Sequence, residues 1–247
     1  MLPVDDARTL PLLYHLNSEP WLNIEAYTDP SNEVHFKQLS AAPSVALPSP
    51  TNDSILSGLL QARHSCRQFV RRPLPLPQLS NLLANSYGIL DVVPRPFGSW
   101  GCARPVPSAG GLYPLELYLA TAGVEDTEDG LYHYNALHHR LESMTKGPLL
   151  EGIGDYLLQQ HFLRNANVIV FISANLARTT KKYGPRGYRY VLLEAGHCAQ
   201  NLCLLASEQR FGVICIGGFS DAKVNRLVDL DGTSEAVVYC VGIGHAE

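Results

Sequence analysis

Residues 178–201 read RTTKKYGPRGYRYVLLEAGHCAQN, and their reading decides the fold. Two lysines and a tyrosine, Lys181, Lys182 and Tyr183, stand at the Gly184-Pro185 break. Beyond it, apolar residues recur at helical spacing and predict one long helix over roughly residues 187–210, ending before Phe211-Gly212. Its apolar face is read as carrying four polar residues, Glu194, His197, Gln200 and Asn201. A Lys–Tyr pair beside a break can handle protons. A buried helix with polar interruptions can back a cofactor pocket.

Around this helix the pattern is mixed. Residues 54–63 have helical spacing, and Pro77 opens a second helix over 77–83, with Leu79, Leu82 and Leu83 on one face. A Pro/Gly-rich loop is expected over 94–111, then a strand over 115–120 and a hairpin in GLYHYNALHHRLESM turning near Asn135-Ala136. A helix is expected over 148–160 and strands over 168–172, 213–216 and 236–241, with a short helix over 221–228 started by Ser220. Hairpins with unevenly spaced helices give an α+β class: a mainly antiparallel central sheet flanked by helices, not a Rossmann alternation. The first ~50 residues lack sustained periodicity, and Pro43, Pro48 and Pro50 forbid a regular helix near them. The division expected is an N-terminal arm and linker, 1–52, and one domain, 53–247.

Composition narrows the function. The 247 residues are 46% hydrophobic and 17% charged with a net charge of -4, which argues against nucleic acid or an anionic membrane as main partner. Six cysteines form no C-x-x-C pair and mostly lie in apolar runs, so no metal site is expected and the thiols read as reduced and cytoplasmic. No signal peptide is read at the start, and no apolar run approaches the ~20 residues of a membrane span.

Three further constellations carry chemistry. Arg63, Ser65 and Arg67 can share one side of an extended segment, or converge at a helix mouth, and clamp a phosphate. The plain alternative is a basic surface turn. Pro107-Ser-Ala-Gly-Gly111 is a loop of small residues whose backbone can approach a flat ligand, with Ser108 as donor. Ile216-Gly-Gly-Phe-Ser220 ends a strand and opens a helix, where bare N–H groups can meet an electron-rich edge. Each is also an ordinary turn. Lys182 serves as a base only if burial or positive neighbours lower its pKa from ~10.4, and Arg178, Lys181, Arg186 and Arg189 are such neighbours. His197, with no second histidine one turn away, reads as a core histidine rather than a metal ligand.

The order of these motifs resembles the nitroreductase-like flavoproteins, and within them the SagB-type dehydrogenases that form thiazoles and oxazoles. The resemblance covers residues 54–244, and K-Y-G-x-R-G-Y-R-Y followed by E-A-G-H-x-x-Q-N is its most specific part. It implies the nitroreductase fold, with the long helix at the core of a homodimer and FMN at the subunit interface. It implies Arg63, Ser65 and Arg67 as phosphate and ribityl contacts, and Pro107, Ser108, Ala109, Gly110 and Gly111 as the loop reaching the partner's flavin. Cys215, Ile216, Gly217 and Gly218 would line the flavin ring. Lys182 and Tyr183 would be the catalytic pair, taking a Cα proton from an azoline while hydride passes to flavin N5. The substrate implied is peptide- or carrier-protein-bound, with a cyclodehydratase or synthetase as partner. Two departures stand out. Gly217 replaces an acidic residue of simple nitroreductases, and Gly110-Gly111 replace a common asparagine. The alternatives are an NAD(P)H-dependent nitroreductase or quinone reductase, and a flavin-free scaffold subunit.

Overall fold

A computed structural model describes residues 10–18, 36–39, 42–94 and 100–247. Its centre is strand β7 (Val168–Asn175), whose uninterrupted apolar run VIVFI is buried on both faces. Val168, Val170 and Ile172 face one core, and Ile169 and Phe171 face another. A strand between two cores needs no polar alternation, which is why this run reads as continuous.

Strand β4 (Leu115–Thr121) and strand β9 (Glu235–Ala246) flank β7 antiparallel. Beyond β4 lies the hairpin of β5 (Gly130–Asn135) and β6 (Arg140–Lys146). Strands β8 (Gly212–Ile216) and β1 (Phe69–Val70) both pair antiparallel with β9, completing a seven-stranded sheet. The α+β class and antiparallel sheet agree with the sequence reading.

One core lies under helices α3 (Leu76–Tyr87) and α5 (Arg186–Glu208). Helix α5 buries Val191, Glu194, Ala195, Cys198, Ala199, Leu202, Cys203 and Ala206, a stripe of 3.6-residue period. Glu194 is therefore on the buried face. His197 and Gln200 are exposed, which corrects their placement on the apolar face and the reading of His197 as a core histidine. The second core is covered by helix α6 (Asp221–Leu227) and two 3-10 segments, Leu149–Asp155 and His161–Asn165.

Those 3-10 segments replace the helix expected over 148–160. Leu150, Ile153 and Leu157 mimic a helical stripe, but Gly152 and Gly154 weaken a helix and Leu158 and Gln159 adopt φ of 46° and 63°. The expected loop over 94–111 holds a hairpin arm instead, β2 (Asp91–Pro94) pairing with β3 (Trp100–Ala103). Within the N-terminal arm a helix that the sequence did not announce, α1 (Leu10–Asn17), rests on α5: His15 Nδ1 lies 3.0 Å from the Tyr188 hydroxyl, and Tyr14 packs edge-on to that ring. Helix α2 (Ile55–Ala62) starts where expected, with Ser54 accepting from the Ser57 N–H at 3.1 Å. Among the described residues no helix is long and apolar enough to cross a membrane.

Candidate active site

Lys182 and Tyr183 end helix α4 (Leu176–Tyr183), which the sequence offered only as a break. Its residues are polar, so the helix rests on its ends: Asn175 accepts from the Arg178 N–H, and Gly184 at φ 57° terminates it. Gly187 of α5 then packs against the Thr179–Thr180 backbone, where a Cβ would come within 2.9 Å. This corner fixes α4 to α5. Arg178, one turn before Lys182, pairs with Glu116 of β4 at 2.6 Å and donates to the Tyr113 carbonyl at 3.3 Å. Its charge is committed to Glu116 rather than offered to Lys182.

Lys182 and Tyr183 converge on the small-residue loop. Gly110 sits at φ 62°, and a Cβ there would lie 2.6 Å from the Tyr183 hydroxyl and 2.7 Å from Lys182 Nζ. Only glycine leaves this space open. The Lys182 ammonium lies 5.2 Å from the Tyr183 ring centre, and Tyr190 packs edge-on to the same ring at 5.1 Å. Lys182 and Gly110 are exposed and Tyr183 is half-buried. The pair thus opens outward over bare backbone.

Behind the loop lies a buried network that the sequence reading missed. The Ser108 hydroxyl donates to Glu194 at 2.5 Å and accepts from the Tyr113 N–H at 2.9 Å. Tyr87 donates to the other Glu194 oxygen at 2.8 Å and accepts from the Leu115 N–H. Arg104 stacks over the Tyr87 ring at 4.4 Å and donates to the Tyr87 carbonyl at 2.6 Å. Burial raises the Glu194 carboxyl above its ordinary pKa, against the Ser108 and Tyr87 hydrogen bonds and the Arg104 charge. Burial and the Glu194 charge also hold Tyr87 protonated. Ser108 is thereby engaged inward, and the network braces the loop that carries Gly110.

The second cluster gathers at another level of α5. Residues 63–67 run extended, not as a helix mouth: Ser65 bridges to Val213, and the Cys66 N–H donates to the Val213 carbonyl at 2.9 Å. Cys66 points inward beside Gly212, while Arg63, Ser65 and Arg67 take the opposite side. Among the described residues, neither arginine forms an ion pair. Strand β8 carries this segment to Cys215–Gly218, where a Cβ on Gly217 would meet only the Tyr239 ring edge, at 3.8 Å. Unpaired cations beside a bare strand end suit a flat, phosphate-bearing cofactor. Cys203, level with this cluster, lies about 25 Å along α5 from Arg186 at 1.5 Å per residue. The predicted site residues therefore fall into two groups, the Lys182–Gly110 group and the Arg63–Cys215 group.

Comparison with known proteins agrees with this architecture. A family model described as the nitroreductase family matches residues 60–245. A nitroreductase-type protein of Methanocaldococcus jannaschii is 35% identical over 175 residues, covering 71% of this chain and 84% of that protein. The microcin B17-processing protein McbC of Escherichia coli is 31% identical over 173 residues, covering 65% of this chain and 58% of McbC. A chain in the solved E. coli microcin synthetase McbBCD complex, with truncated pro-MccB17 bound, superposes with a TM-score of 0.63 at 24% identity. The match covers 93% of this chain and 83% of that one.

Proposed function

We propose a reaction for this chain, which belongs to the nitroreductase family: FMN-dependent oxidation of a thiazoline or oxazoline to the aromatic thiazole or oxazole. Family membership makes it an oxidoreductase, and the likeness to McbC supports a role in natural-product modification. The observation that carries the finer reading is the meeting of Lys182 and Tyr183 over Gly110. Aromatising an azoline removes a Cα proton and a hydride from the adjacent carbon. A nitro or quinone substrate offers no such Cα proton, so reducing one gives this pair no proton to abstract.

In this reading Lys182 takes the Cα proton, and the Tyr183 hydroxyl orients the azoline ring beside it. General-base help of this kind contributes roughly 10²–10⁴-fold in rate. Gly110 leaves room for the substrate edge, and the Glu194 network keeps the loop in place. Arg63, Ser65 and Arg67 would hold the FMN phosphate and ribityl chain, with Cys215, Ile216, Gly217 and Gly218 along the ring. Pro107, Ser108, Ala109, Gly110 and Gly111 would approach the ring from a second copy. When bound, FMN supplies a two-electron acceptor. A flavin-free scaffold role would leave Arg63 and Arg67 without a task.

A homodimer and a peptide or carrier-bound substrate follow in the same reading, with a cyclodehydratase or synthetase as partner, supported by the likeness of this fold to a chain of the McbBCD synthetase complex. The test is Lys182→Ala in purified protein. FMN should stay bound, seen by its visible absorbance, while oxidation of an azoline peptide disappears. Ordinary turnover by that variant would overturn the assignment of the base, and protein that stays colourless with added FMN would overturn the reaction.

A further inference from the structure

Cys203 on α5 and Cys215 on β8 face each other with their sulfur atoms 3.4 Å apart. The chain brings them together by doubling back: β8 leaves the turn after α5 and runs along its last turns, so residues at similar distances from the turn lie side by side. The two ends differ. Cys203 is buried at 3% exposure, whereas Cys215 is half-buried and reachable. The two thiols share a hydrogen bond, and the Tyr239 hydroxyl adds a second bond to the Cys215 sulfur. The Arg63 charge acts on both sulfurs.

We propose that Cys203 and Cys215 form a dithiol that a hydroperoxide oxidises to an intrachain disulfide, making them a redox modification site beside the Arg63 segment. The order of events follows from the surroundings. The bonds from Cys203 and Tyr239, with Arg63, pull the Cys215 thiol down to about 7, while Cys203 is pushed up by its bond to Cys215 and by burial. Cys215 is thus the thiolate that attacks. Its sulfur bonds to one peroxide oxygen, the O–O bond breaks, and the leaving oxygen takes a proton to become water or an alcohol. The Cys203 sulfur then bonds to the Cys215 sulfur and expels the second oxygen as water. Two thiols and one hydroperoxide give one disulfide, one water, and a second water or an alcohol. The thiols lose two electrons and the peroxide gains them.

Neither step depends on the azoline reading, but FMN laid along Cys215 as proposed above would cover its sulfur, so both steps belong to the flavin-free protein, where the disulfide would pin the Cys215–Gly218 segment to α5. Other thiols are placed differently: burial holds Cys198 and Cys240 well above the ordinary thiol range.

The test treats the full-length protein, freed of any flavin, with a small excess of hydrogen peroxide, quenches with an alkylating agent, and reads intact mass and cysteine peptides. The expected product has lost two hydrogens, joins the peptides of Cys203 and Cys215, and returns to the dithiol with dithiothreitol. In Cys203→Ser the reaction should stop at a Cys215 sulfenic acid trapped by dimedone. That trapping should run roughly tenfold faster than at any other cysteine. An unchanged mass, a disulfide joining other cysteines, or wild-type Cys215 carrying added oxygen while Cys203 stays free would each overturn the proposal. Because the wild-type product is decisive, a Cys203→Ser variant that fails to fold does not rescue the idea.

Discussion

At the residue scale, the site rests on one absent side chain and one buried carboxylate. Gly110→Ala would place a methyl within 2.7 Å of Lys182 Nζ and hold alanine at φ 62°. The backbone conformation alone costs about 1–2 kcal/mol. We expect a folded protein whose azoline oxidation falls roughly tenfold or more, since small displacements of a base are costly. Activity equal to wild type would show that the space above Gly110 is unused. Glu194→Ala removes the acceptor for both Ser108 and Tyr87, and each stranded hydroxyl costs about 1–3 kcal/mol. The urea midpoint should drop sharply, and Glu194→Gln, which keeps the volume and an acceptor, should drop less. The sequence offered the motif residues at this scale only as candidates, because each of those loops is equally an ordinary turn. The partners of Glu194 were not: Tyr87 is 107 positions away in the chain, and only the fold joins them.

At the scale of elements, α4 is tied to the sheet through a charge network with a definite pH signature. His133 on β5 lies 3.5 Å from Glu116 and 3.2 Å from Glu142, and Arg178 completes the set. The hydrogen bond to Glu116 raises the His133 pKa against the opposing effect of burial. Burial works against Glu116 ionising, but the bonds from His133 and Arg178 win and lower its pKa. The histidine's contribution is complete below its ordinary value of 6.5 and is lost as pH rises through its raised pKa. The glutamate's is present above 4.5 and lost as pH falls through its lowered one. Thermal midpoints should therefore fall from pH 6 toward alkaline pH, and His133→Gln should flatten that limb. An identical slope in the variant would exclude the pair as its cause. Long, strongly patterned elements were readable: α5 spans Arg186–Glu208 against an expected 187–210. Helix α4 was not, because LARTTKKY has no apolar stripe and depends on its caps and on docking to α5. The segment 148–160 misled because 3-10 turns can bury the same leucines as a helix.

At the scale of the whole molecule, the exposed apolar residues have a direction. Ile55 is 82% exposed and Leu193 is 55% exposed, with Leu56, Leu60 and Leu192 also open, on two helices that touch each other. In the homodimer proposed above, this surface would meet its copy and bring one chain's Lys182–Gly110 group toward the other's Arg63–Cys215 group. Sedimentation should give twice the 27.1 kDa chain mass, and Leu193→Glu should yield monomers that lose FMN. A wild-type monomer that retains flavin would overturn the shared site. The class and the antiparallel sheet were legible from the pattern, whereas the strand order and the separation of the site into two groups appear only in the fold. The welded corner at Gly184 and Gly187 has one more consequence. Adding a single residue between Gly184 and Arg186 would disrupt the contact of Gly187 with the Thr179–Thr180 backbone that fixes α4 to α5. Every chemical group would remain, yet Lys182 would point away from Gly110. Relatives of this chain should therefore tolerate changes at Pro185 and Arg186 better than changes at Gly184 or Gly187 or in the length of the turn: the corner acts as a gauge that measures where the base stands.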